Sequence, residues 1–137
     1  MPNTVTNSTV TEIPAAAPAE AEVHFRRKLA FETDCADVHA ALAAGAADFV
    51  LLDVRGRKAY AHAHVPGAVS LPHRDIGEKR LADYPPATVF VVYCAGPHCN
   101  GADRAALRLA QLRRPVKLMI GGMTGWADEG LPFAEGT

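Results

Sequence analysis

The stretch Thr88-Val89-Phe90-Val91-Val92-Tyr93-Cys94-Ala95-Gly96-Pro97-His98-Cys99-Asn100-Gly101-Ala102-Asp103 carries the reading on which the fold turns. Residues 88–93 are almost wholly β-branched or aromatic, which predicts a strand buried on both faces. From Gly101 to position 113, Ala102, Ala105, Ala106, Leu109 and Ala110 recur at the spacing of a core-facing helix. A strand thus feeds a helix through a short loop containing Gly96 and Gly101, residues that let successive amides turn inward. Inward amides at a helix N-terminus make a cradle for an anion. Asn100 is expected to cap the first turn with its side chain, and Asp103 places an acidic group where it favours a helix start. A cysteine at the base of such a cradle is expected below the free thiol value of about 8.5. Cys94 is therefore the candidate thiolate nucleophile. The loop residues Ala95, Gly96, Pro97, His98, Cys99 and Asn100 form the candidate substrate-binding wall. The competing account is a buried structural cysteine closing a core strand; a strand end of that kind does not need a glycine-containing turn into a capped helix.

Working outward, residues 49–52 are a short apolar run ending at Asp53, residues 68–71 a weaker strand, and residues 116–120 a last one. Asp34 looks like an N-cap opening a helix to position 44, with Gly45 as its stop. Residues 19–28 and 75–84 have helical composition, the second broken by Pro85-Pro86. A short helix is expected around Trp126. Strands alternating with helices predict an α/β fold, a mostly parallel sheet flanked by helices on both faces. Ligands of such sheets bind beyond the carboxyl ends of the strands, here after Leu52, Tyr93 and Ile120. Residues 1–20, rich in Thr, Asn, Ala and Pro, are read as a flexible tail before one domain over 21–137.

Composition narrows the function. The 137 residues are 49% hydrophobic, and 14 Lys+Arg stand against 15 Asp+Glu, a formal charge of -1. No field of either sign recruits nucleic acid or an anionic membrane, so a small molecule or a protein is the expected partner. No apolar run approaches the ~18 residues of a membrane helix. The first twenty residues lack Lys and Arg, hence the charged start of a signal peptide. Three cysteines without repeated spacing do not form a disulfide framework, and a cytoplasmic home is expected.

Three stretches together resemble the rhodanese family. Asp53-Val54-Arg55 with His64-Val65-Pro66-Gly67-Ala68 is similar to its first signature, a strand-end Asp-x-Arg and a His-x-Pro-Gly-Ala turn. Tyr93-Cys94 opening a glycine-containing loop is similar to its catalytic segment. Gly121-Gly122, Trp126 and Gly130-Leu131-Pro132 resemble its closing signature. The resemblance implies a rhodanese-like fold over about three-quarters of the chain and a single-domain sulfurtransferase. It implies that Cys94 takes sulfane sulfur from a donor such as thiosulfate, carries it as a persulfide, and passes it to a thiol or cyanide. No metal or organic cofactor is implied. One departure stands out: members often carry Arg or Lys in the loop, whereas positions 94–100 contain neither. The loop length resembles that of the phosphatases sharing this fold, but Asn100 cannot supply the bidentate guanidinium that phosphate esters require.

The remaining candidates have plainer accounts beside the functional ones. Cys99 is either a thiol that resolves a Cys94 persulfide or a loop cysteine whose geometry never reaches disulfide dimensions, and the second reading is preferred. His98 is a donor to a bound anion or a solvated loop residue. Asp53 and Arg55 are expected to be a structural ion pair near the site, His64 a turn residue, Trp126 a core anchor and Cys35 inert. Arg104 and Arg108, one turn apart, are taken as a solvated helix face. A catalytically weak module that binds a protein, and a Cys94/Cys99 thiol-redox enzyme, are the rival functions.

Overall fold

The computed structural model describes residues 8–137. Its elements run α1 (Pro18–Phe31), β1 (Glu32–Thr33), α2 (Cys35–Ala43), β2 (Val50–Asp53), α3 (Arg57–His62), β3 (Val69–Ser70), a 3-10 turn at His73–Asp75, α4 (Glu78–Leu81), β4 (Phe90–Tyr93), α5 (Gly101–Gln111), β5 (Val116–Met119) and α6 (Gly122–Asp128). Among the described residues the five strands form one sheet of order β1-β5-β4-β2-β3, every pairing parallel. The expected α/β class and parallel sheet are what the chain adopts.

Strand alternation divides the core between the two faces. Phe90, Val92 and Cys94 pack with Leu52, Ala102, Ala105 and Leu109 on the α5 side. Val91 and Tyr93 pack with Leu51, Val38, Met119 and Trp126 on the α2/α6 side. The period of two therefore decides that the Cys94 sulfur faces the start of α5. Asp34 caps α2 as expected, its Oδ1 accepting from the Asp37 amide at 2.8 Å, and Gly45 leaves that helix at φ 65°.

Three expectations differ from the structure, and one helix was not expected. The helix expected over 75–84 is a 3-10 turn and the four-residue α4, because Ile76 is extended (φ -70°, ψ 121°) so that its side chain can bury in the core. Helix α3 has no apolar period and was not legible. Ala110 is exposed, so the buried stripe of α5 is Gly101, Ala102, Ala105 and Leu109. Helix α1 starts at Pro18, so the boundary expected after Glu20 falls inside it; residues 1–7 of that expected tail lie outside the described residues.

Candidate active site

Cys94 follows the last residue of β4, at the carboxyl end of the sheet's central strand, and is 4% exposed. Its thiol donates to the Cys99 carbonyl at 3.2 Å and approaches the Gly96 carbonyl at 3.9 Å. Burial pushes the Cys94 thiol up, against the opposing pull of the Ala102 and Gly96 amides and with a further upward push from Cys99. The expectation of a depressed value at Cys94 is thus not met. Cys99 is the thiol held low, chiefly by the Gly101 amide, whose N–H donates to its sulfur at 3.4 Å, then by Cys94 and the Ala95 amide. The cradle exists, but its amides are shared between two sulfurs.

Gly101 leaves space between the two cysteines. A Cβ placed on it would lie 3.4 Å from Cys99 Sγ and 3.5 Å from Cys94 Cβ, so the absent side chain leaves the gap that both cysteines flank. Both cysteines are free thiols. Asn100 is also corrected as a cap. Its side chain makes no capping bond and instead accepts from Arg104 Nε at 3.1 Å, turned outward on the helix surface.

The loop is clamped from the far side by the β5–α6 turn. The Met123 and Thr124 amides donate to the Cys94 and Ala95 carbonyls, each at 3.0 Å, and Thr124 Oγ1 donates to the Ala95 carbonyl at 3.1 Å. The approach is so close that a Cβ on Gly122, whose φ is 56°, would run into the Cys94 carbonyl oxygen. A Cβ on Gly96 would sit 2.6 Å from Thr124 Oγ1. Sequence reasoning placed Gly121-Gly122 in a turn but missed that the turn, with Thr124, fixes the loop; the glycine pair following a core strand was the available signal.

Beneath the site, Asp53 is fully buried and accepts from Arg55 Nη2 at 2.7 Å and from Tyr93 Oη at 2.6 Å. Arg55 also donates to the Ala63 carbonyl at 2.6 Å, and Tyr93 Oη accepts from the Val65 amide at 3.1 Å. An uncompensated carboxylate at this depth costs about 3–5 kcal/mol, so the pair and the tyrosine hold the ends of β2 and β4 in register. His64 stacks on Tyr60 with ring centroids 3.7 Å apart, and its Nδ1 bonds the Tyr60 carbonyl at 2.8 Å. Trp126 is fully buried, its Nε1 donating to the Pro132 carbonyl at 2.8 Å.

The Cys94 sulfur opens into a cavity of about 640 Å³. Of the loop residues, Gly96, Pro97 and Cys99 line it, whereas Ala95, His98 and Asn100 face a separate outer hollow. Its rim carries Glu32, Asp34, Asp103 and Glu129, and no Lys, Arg or His among the described residues lines it. Glu32 is paired with Lys28 at 2.7 Å. Cys35 lies in the wall, donating to the Ile120 carbonyl at 3.5 Å, and burial followed by Asp34 and Glu129 pushes its thiol up to about 11. That thiol is protonated near neutrality and no nucleophile.

Comparison with known proteins agrees with this fold. The family model described as Rhodanese-like domain matches residues 34–129. The crystal structure of the BH2092 protein from Bacillus halodurans is 38% identical, superposes with a TM-score of 0.84 and shares 87% of each chain. Thiosulfate sulfurtransferase from Pseudomonas aeruginosa is 27% identical with a TM-score of 0.64, covering 86% of this chain and 22% of its own. An HTH-type transcriptional regulator, Rv0324 of Mycobacterium tuberculosis, is 35% identical over 91 residues, 66% of this chain. The chain spans 40% of that relative's length.

Proposed function

This chain belongs to the rhodanese-like domain family, and from that premise we propose that it is a sulfurtransferase carrying sulfane sulfur as a persulfide on Cys94. The observation that carries the proposal is the placement of Cys94, at the end of β4 against the first turn of α5 and with a cavity before it; the Ala102 and Gly96 amides favour its charged form against burial. Amides that stabilise a thiolate also stabilise a persulfide anion. The Cys94 thiolate attacks the outer sulfur of a donor, an S–S bond forms at Cys94, and the donor's old bond breaks with its electron pair on the leaving group. A thiolate or cyanide then attacks the outer sulfur and frees Cys94.

The carboxylate rim and the absence of a loop arginine bear on the donor. Thiosulfate is a dianion, and the exposed carboxylates of Asp34, Asp103 and Glu129 around the entrance oppose its approach. A neutral or singly charged sulfane donor, such as a hydropolysulfide or an organic persulfide, suits the cavity better. His98, turned to the outer hollow, does not offset the rim.

Intact-mass measurement after incubation with polysulfide, thiosulfate and mercaptopyruvate tests the proposal. The native protein gains sulfur from polysulfide and the gain vanishes in Cys94→Ser, which keeps its fold. Equal loading of the serine variant would sink the assignment of Cys94.

A further inference from the structure

We propose that Cys99 is a second sulfur carrier, taking the sulfur from Cys94 and handing it to a small anionic thiol held in an arginine-lined cleft on the other side of the loop. The inference rests on the persulfide reading of Cys94 and adds to it an exit route and an acceptor class.

Cys99 stands where two cavities of opposite charge meet. It lines the acid-rimmed cavity together with Cys94, and it also lines a cleft of about 680 Å³ bordered by His73, Arg74, Arg104 and Arg108. Cys94 does not border that cleft, and no carboxylate among the described residues does. Arg108 Nε is anchored on the Ile76 carbonyl at 3.0 Å and Arg104 Nε on Asn100 Oδ1 at 3.1 Å. Their Nη atoms bond no described residue and are free to pair with a carboxylate, for which the guanidinium fork is matched. An anionic acceptor is therefore turned away from the Cys94 cavity and drawn to the Cys99 side. A half-buried sulfur that both sides reach has a use there that a solvated loop residue does not.

The transfer between the cysteines needs no oxidant. The Cys99 thiolate, favoured by the Gly101 and Ala95 amides, attacks the outer sulfur of the Cys94 persulfide. The new bond joins that sulfur to Cys99 Sγ, the Cys94 S–S bond breaks, and its electron pair stays on Cys94 Sγ, which takes up a proton. The acceptor thiolate repeats the exchange at Cys99, leaving as its own persulfide and returning Cys99 to thiolate. Attack on the inner sulfur would instead give a Cys94–Cys99 disulfide and hydrosulfide.

The test loads the full chain with sodium polysulfide, traps persulfides by alkylation, maps them by peptide mass, and follows transfer to glutathione, which is anionic, and to cysteamine, which is cationic. Sulfur is expected on both Cys94 and Cys99, with glutathione the faster acceptor. Cys99→Ser, whose hydroxyl still accepts from the Gly101 amide, should confine sulfur to Cys94. It should also slow transfer to glutathione by about ten-fold, the scale of one charge-assisted contact. The pair Arg104→Ala with Arg108→Ala should erase the preference for glutathione while leaving sulfur on both cysteines. Sulfur on Cys94 alone with an unchanged glutathione rate in Cys99→Ser overturns the relay and leaves Cys94 as carrier. A Cys94–Cys99 disulfide with released sulfide overturns it in favour of attack on the inner sulfur. No sulfur on Cys94 in the native protein overturns the carrier reading, and the relay with it.

Discussion

Cys94 and Cys99 are five positions apart, and the difference between their sulfurs is one of depth and amide supply. Cys94 is buried at the strand end, where loss of solvent outweighs its two amides; Cys99 is half-buried and takes the Gly101 and Ala95 amides. The sign follows directly. A raised thiol stays protonated as pH rises through the ordinary value of about 8.5, and a lowered one has already lost its proton there. Iodoacetamide should therefore alkylate Cys99 before Cys94 near neutrality, with the Cys99 midpoint below the free value and the Cys94 midpoint above it. Peptide mapping across a pH series checks this, and Cys94 labelling first would contradict the burial account. Cys94 was legible in the sequence because a β-branched and aromatic run ends on it before a glycine-containing loop. The proton affinities were not, because they depend on which amides face which sulfur. Pro97 has no amide to give, and the Cys99 amide is spent on the Gly96 carbonyl at 3.0 Å.

Among the elements, the β5–α6 turn shapes the site as much as the loop it holds. Parallel sheets gather their loops at one end, so the segment after β5 lands on the segment after β4. The Gly121-Gly122 pair was readable as a turn, and residues 116–120 as a strand. That pair hinted at a close approach, but which carbonyls the turn would bind depends on strand order, which the local sequence does not carry. Short elements were hard to read for a related reason: α3 and α4 owe their shape to the core neighbours of Val65 and Ile76, not to a periodic pattern of their own. Gly122→Ala puts a Cβ against the Cys94 carbonyl at a positive φ. A side chain at such an angle costs about 1 kcal/mol or more, and the backbone contact adds to it. The expected result is a lower Tm together with a fall in sulfur loading, read by thermal denaturation and intact mass. Gly130→Ala is the control: it has a positive φ of 69°, but a Cβ there meets nothing within 4 Å, so it should lower Tm and leave loading intact.

At the scale of the whole molecule, a formal charge of -1 conceals an uneven layout. Glu32, Asp34, Asp103 and Glu129 come from three separate stretches of the chain, yet the fold collects them around one cavity, while Arg74, Arg104 and Arg108 border the next. Composition could only say that no overall field exists; the partition appears once β1, α5 and α6 converge on the end of β4. Helix α5 alone sends Asp103 to one side and Arg104 and Arg108 to the other, since neighbours in sequence point about 100° apart on a helix. Asp34, Asp103 and Glu129 are exposed, and repulsion between exposed charges is screened within a Debye length of about 8 Å at physiological salt. Loading of Cys94 by thiosulfate should therefore be slow at low ionic strength and quicken as inert salt is added. Loading by a neutral organic persulfide should hardly respond. Replacing two rim carboxylates that make no side-chain hydrogen bond or ion pair with a described residue, by Asp103→Asn with Glu129→Gln, should raise the low-salt thiosulfate rate and flatten its salt dependence. Parallel rate measurements with the two donors over a salt series decide the matter. A thiosulfate rate that falls with salt would mean that a cation governs its approach, and the acidic rim would not then be what selects the donor.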